Sequence, residues 1–203
     1  MTLQEATALL ARTPSTFDTL LRGLPETWTA RNEGANTWAP IEIVAHLIHA
    51  ERTDWLTRTK MILKSRENAT FAPFVRDGQV HEMQGKSLEQ LLDEFARARA
   101  ASLAELRALD LQPADLQRRG RHPALGSVTL SQLLATWVVH DLTHIHQVSR
   151  VMASQYREEV GPWSGYLGVL QCAGHSSKQK FRRFSRRTCD AAALRENPIL
   201  LIS

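Results

Sequence analysis

Apolar residues recur every three or four positions in four stretches of this chain, the spacing that lines one face of a helix. The first stretch opens with Thr2 and Glu5, a pairing that caps the free amides of a helix start. Pro14 is expected to break or kink it and Thr13 to cap a restart, while Phe17, Leu20, Leu21 and Leu24 carry the apolar face. Gly23 and Pro25 end that run, and a polar stretch, residues 26–37, leads onward. A second helix is predicted from Trp38-Ala39-Pro40, where proline suits the first turn, to about Leu63. Ile41, Ile43, Val44, Leu47, Ile48, Trp55, Ile62 and Leu63 surround most of its circumference, so it should be buried between neighbours.

Residues 64–86 form a long connection. Ser87 and Gln90 then cap a third helix carrying Leu88, Leu91, Leu92, Phe95, Leu103, Leu106 and Leu109. After a turn region with Pro113, Gly120, Pro123 and Gly126, Thr129 and Gln132 cap a fourth helix that should reach about Gln155. No alternation of period two competes with these helices, so the expected fold class is an all-α four-helix bundle. Helix two spans roughly 35 Å at about 1.5 Å per residue. The connector after it is long enough to cross that distance, which permits an up-down-down-up order with a long crossover between helices two and three. A functional loop in a simple up-down bundle would read the same way.

Composition narrows the class further. With 203 residues, 43% hydrophobic and 23% charged, the chain fits one globular domain with a sizeable core, and no apolar run reaches bilayer length. The start lacks the basic and apolar regions of a secretory signal. Its two cysteines, Cys172 and Cys189, form no metal or disulfide framework, which fits a reducing, cytoplasmic setting. The net charge of +4 is not spread over the protein. Lys178, Lys180, Arg182, Arg183, Arg186, Arg187 and Arg195 face only Asp190 and Glu196 in the last segment, leaving the rest nearly neutral. Residues 1–175 are therefore expected to form the bundle and 176–203 an irregular basic tail. Its Phe181-Arg-Arg-Phe-Ser-Arg-Arg187 run mixes aromatic and basic residues, but it is too short to predict specific nucleic-acid binding. The abrupt change in character after about His175 also fits a shifted reading frame. Trp163 and Tyr166, beyond the fourth helix, could cover the bundle or form a homodimer contact.

Chemistry enters with the histidines. His140 and His144 are four residues apart on the fourth helix, so their imidazoles can converge on one ion. Leu133, Trp137, Val148 and Val151 share their face, whereas His146 points almost the other way. Imidazoles set in an apolar stripe need their nitrogens satisfied. A divalent metal does this, and so would carboxylates, backbone or water; spacing leaves both readings open. No glutamate of the HExxH kind intervenes, so a thermolysin-like protease is not indicated. A third ligand has to come from elsewhere. His46, His49, Glu51 and Asp54 on helix two are the candidates, and periodicity does not choose among them. His81, His122 and His175 fall in loops or near the tail.

Trp38-Ala-Pro-Ile-Glu-Ile-Val-Ala-His46-Leu, followed far downstream by His140-Asp-Leu-Thr-His144-Ile-His-Gln147, resembles the DinB superfamily over roughly residues 1–170. The resemblance implies an up-down-down-up bundle with a three-histidine metal site of His46, His140 and His144, and it favours His46 over His49. It places Gln147 beside that site, behind a ligand. The chain departs from such sequences at Ala39, where a capping serine is common, and at His146, where glycine is common. Members with assigned activity include thiol S-transferases that use bacillithiol or mycothiol, and isomerases or hydrolases of thiol conjugates. The expectation is thus an enzyme with one zinc or nickel ion, acting on a small-molecule substrate with a low-molecular-weight thiol as co-substrate. The competing expectations are a metal-dependent hydrolase, with bound water in place of the thiol, and a metal-binding, stress-related or interaction module without turnover. Asp141 and Glu51 could serve as base and substrate contact, but a solvated helix charge and a structural ion-pair partner are the better reading.

Overall fold

The computed structural model describes residues 2–75 and 78–172, and these are mostly helical. Helix α1 (Leu3–Leu10) starts with the expected box: the Thr2 hydroxyl accepts from the Glu5 amide, and the Glu5 carboxylate accepts from the Thr2 N–H at 2.6 Å. Helix α2 (Thr13–Leu21) follows at once, but Thr13 does not cap it. Arg12 holds the cap position without a side-chain capping bond, and Thr13 is the first helical residue, buried against the core. Pro14 sits in the first turn, where its missing N–H has no helical partner to lose, so the break falls ahead of it. Gly23, at φ 77°, turns the chain toward the short α3 (Glu26–Thr29).

The single helix expected from Trp38 to Leu63 is two helices, α4 (Pro40–Thr53) and α5 (Trp55–Ser65). Asp54 interrupts them at φ −111°, ψ −71°, its buried carboxylate paired with Arg58 Nε at 2.5 Å one turn on. A helix that is apolar on most sides carries no phase signal for such a bend to disturb, so periodicity ran through it. At the head of α4, the Glu42 carboxylate accepts from the Ala39 N–H at 2.7 Å. Ala39 has no oxygen to return, so the departure from a capping serine leaves half of a box.

The connector after α5 contains α6 (Gln79–Met83), which packs on α4, and leads to α7 (Leu88–Ala108) with its Ser87–Gln90 box intact. The turn region that follows contains a hairpin that was not expected, β1 (Arg119–His122) against β2 (Gly126–Thr129), antiparallel from Arg119↔Thr129 to His122↔Gly126. Arg119, Gly120, Arg121 and His122 present no apolar alternation, which is why period-two reading missed it. Long-range contacts hold it: the Phe71 amide donates to the Arg121 carbonyl at 2.9 Å, clipping the connector to the hairpin. An added Cβ on Gly120 would lie 2.7 Å from Ile62 Cγ1 and 2.8 Å from Phe71 Cζ. Gly120→Ala should therefore destabilise by about 1–3 kcal/mol, read as a lower urea midpoint at unchanged slope.

Strand β2 runs into α8 (Leu130–Ser154), capped by Thr129 and Gln132 as expected. A 3-10 turn (Gly161–Tyr166) and α9 (Gly168–Gln171) close the described residues. Trp163 and Tyr166 do not cover the bundle; they are exposed. Cys172 is exposed and free among the described residues, while His175, Cys189 and the basic tail lie outside them. Among the described residues no helix is long and apolar enough to cross a membrane.

The four legs of the bundle are α1–α2, α4–α5, α7 and α8. Their apolar faces meet in two clusters, one around Leu10, Ile62, Leu103 and Trp137, the other around Phe17, Ile43, Phe95 and Val148. Between the clusters runs a polar layer. Along α7, Phe95 and Leu103 bracket it, and on α8 the bracketing residues are Val138 and Val148. Glu51, Arg99, Asp141 and the three histidines His46, His140 and His144 occupy this layer.

Candidate metal centre

His46 projects from α4, and His140 and His144 from successive turns of α8. His46 and His144 are buried and His140 is half-buried. The His46 and His140 Nε2 atoms lie 3.2 Å apart, and those of His140 and His144 3.1 Å apart. One nitrogen from each of the three rings falls within 4.8 Å of the others. Hydrogen bonding cannot account for both short contacts. A neutral imidazole nitrogen has one in-plane site, so the His140 Nε2 can donate or accept once, but two partners face it. A shared cation does account for them, because nitrogens bound tetrahedrally at about 2.0–2.1 Å are roughly 3.4 Å apart. The donor set and its spacing fit a divalent metal.

The protonation states fit as well. Burial, followed by repulsion from His144, His46 and Arg99, holds the His140 imidazolium well below the usual histidine range. Burial lowers His144 too, against a partial upward pull from Gln147 and Asp141. Both rings are thus neutral at neutral pH, with lone pairs available. The His144 Nδ1–H donates to Gln147 Oε1 at 2.7 Å, which fixes the tautomer and leaves Nε2 as the electron-pair donor. Gln147 therefore stands where it was expected.

These lowered values have a consequence for stability. A histidine whose folded pKa lies below its unfolded value binds protons more readily when unfolded. In the metal-free protein this penalty is absent above about pH 6.5 and grows as pH falls, by up to about 1.4 kcal/mol per pH unit for each ring. Buried Glu51 and Asp54, whose carboxyls burial raises, work in the opposite direction. The histidine contribution is isolated by difference: chelated wild type should lose more stability between pH 7 and 5 than His140→Ala/His144→Ala, in urea titrations at each pH.

Aromatic rings wall the cluster. Trp38 lies 4.7 Å from the His46 ring and stacks at 6.3 Å with His144. Phe74, from the connector, meets His46 edge-on at 5.4 Å. Trp55, just past the bend, sits 5.1 Å from His140 and stacks on Trp137 at 5.6 Å. Of these only Trp38 belonged to a sequence motif.

The remaining candidates are elsewhere. His49 packs against Phe74 and lies 3.9 Å from the Glu82 carboxylate, turned toward α6 and outside the cluster. Asp54 is committed to Arg58. His81 and His146 are exposed, and His122 Nδ1 turns its single lone pair to the Ala124 and Leu125 amides, which share it in the hairpin turn. Glu51 is an ion-pair partner, as the structural reading had it, whereas Asp141, expected to be a solvated helix charge, is buried and ion-paired. Both bind Arg99, which sequence reading overlooked although it stands in the apolar stripe of α7, four residues after Phe95 and four before Leu103.

A helical bundle holding three convergent histidines from two of its legs defines the class of this protein. The DinB superfamily matches residues 9–148, and the chain belongs to that superfamily. Among solved structures it is similar to YfiT from Bacillus subtilis, with a TM-score of 0.61, 16% identity, and coverage of 79% of this chain and 90% of that one. YfiT is described as a probable metal-dependent hydrolase with an unusual four-helix bundle topology. No curated protein matches.

Proposed function

We propose that the chain is a divalent-metal-dependent cytoplasmic enzyme that joins a low-molecular-weight thiol to an electrophilic small molecule, with zinc or nickel held by His46, His140 and His144. The observation that carries this reading is the meeting of the three Nε2 atoms, at 3.1 and 3.2 Å, where hydrogen bonding alone leaves one contact unexplained. Three neutral ligands leave a coordination position for a reactant, the arrangement of a catalytic site. Such an ion, when bound, stabilises the deprotonated form of a ligated thiol or water at neutral pH. The chain's own residues supply the rest. Gln147 keeps the His144 Nδ1 proton and so aims Nε2 at the cluster. Trp38, Trp55 and Phe74 exclude water around the rings and offer an apolar wall to the carbon skeleton of an electrophile.

The likeness to YfiT favours a second reading, hydrolysis with water in place of the thiol. One screen separates them. Metal-loaded protein incubated with thiols and model electrophiles should consume thiol above background, and chelated protein and His140→Ala should not. Cleavage of esters, amides or thiol conjugates without thiol consumption would move the assignment to a hydrolase. Metal binding with neither reaction would make the chain a binding module.

A further inference from the structure

We propose that Arg99, on a helix that contributes no metal ligand, is the positioning residue that sets the ligand-bearing helices α4 and α8 in register for the three-histidine cluster. The inference rests on the metal reading above. Arg99 is 1% exposed, and every donor of its guanidinium is used. Nε and Nη2 donate to Glu51 Oε1 on α4, at 3.0 and 2.7 Å. Nη1 and Nη2 donate to the Asp141 carboxylate on α8, at 2.6 and 3.1 Å, and Nη1 also reaches the Leu10 carbonyl at the end of α1 at 2.8 Å. A planar fork with five donors thus binds all four legs of the bundle in one layer.

The two carboxylates it holds are neighbours of the ligands in sequence. Asp141 directly follows His140, and Glu51 lies five residues after His46 on the same helix. Glu51 Oε1 also accepts from Trp137 Nε1 at 3.0 Å, and Trp137 stacks on Trp55, which meets the His140 ring. The guanidinium lies over the rings of Phe95 and Trp137, 5.2 Å from each centroid, which fixes its plane. Rotation or sliding of α8 against α4 would break charge-assisted bonds in a buried layer. A buried ion group of this kind adds little net stability over apolar packing, so its clearest use is specifying geometry. Held this way, the histidines face one another before an ion arrives.

Cobalt(II) titration of the full chain, followed by its visible ligand-field bands, tests the proposal. Arg99→Lys keeps the charge but loses the fork, so cobalt affinity should fall about 10–100-fold, the usual effect of removing a group that orients ligands, with weaker, broader bands. Glu51→Gln/Arg99→Met/Asp141→Leu removes the charges together, keeps an acceptor for Trp137, and should unfold near the wild-type temperature while retaining the weakened cobalt binding. That split is what a purely structural role would not produce. Wild-type-like cobalt affinity, within about threefold, in either folded variant overturns the positioning role and leaves the metal site standing. Wild-type protein that takes up no cobalt overturns the metal reading itself, and this inference with it. Should Arg99→Lys fail to fold, the triple variant decides alone.

Discussion

His140→Ala is expected to weaken divalent-metal binding by about a hundredfold to a thousandfold while leaving the metal-free bundle folded. Four-ligand structural zinc sites gain roughly 10–16 kcal/mol, so one ligand in such a set is worth about 3 kcal/mol. His140 is the central donor, within 3.2 Å of both partners, and its loss leaves His46 and His144 as the two remaining ligands. The fold should tolerate the change because the His140 Nδ1 is buried without a hydrogen-bond partner among the described residues, and deleting the ring removes that unsatisfied group. Competition titration against a chelating dye, with circular dichroism as the fold check, reads both quantities. His146→Ala is the matched control, since that ring is exposed on the same helix and should leave the affinity unchanged. Equal losses in the two variants would point to general damage to α8.

A second large effect is expected at Arg99. Arg99→Met leaves Glu51 and Asp141 buried without their counter-ion, which should destabilise the metal-free protein by about 3–5 kcal/mol. For a chain of this length that is a fall of roughly 6–20 °C in Tm. Gly120→Ala, which only crowds Ile62 and Phe71, should cost less. A Tm for Arg99→Met within a degree or two of wild type would mean that the two carboxylates carry no net charge to be balanced.

Much of this arrangement could be read from residues alone. The boxes at Thr2–Glu5, Ser87–Gln90 and Thr129–Gln132 marked three helix starts because each satisfies amides locally, with no help from the rest of the fold. His140 and His144 could be paired from helical spacing, since four residues bring side chains to one face. What lay out of reach depended on contacts between distant segments. Periodicity does not choose between His46 and His49; the family resemblance favoured His46, and the physical reason is packing against α8 for one and α6 for the other. The hairpin at 119–129 is held by the Phe71 amide, some fifty residues away in the chain, so no local pattern announced it. Just past the bend at Asp54, Trp55 stacks on Trp137, a contact between distant segments. Arg99 did leave a trace, a cation within an apolar stripe. So did Asp141, which borders the buried face of α8 and was read as solvated because its counter-ion stands on another helix.

X-ray absorption at the zinc edge of the zinc-loaded full chain tests the central claim most directly. The expected spectrum has three imidazole nitrogens at about 2.0–2.1 Å, with one ion per chain and the imidazole scattering diminished in His46→Ala. A shell of sulfur or carboxylate oxygen without imidazole scattering, or a spectrum indifferent to loss of His46, would contradict it.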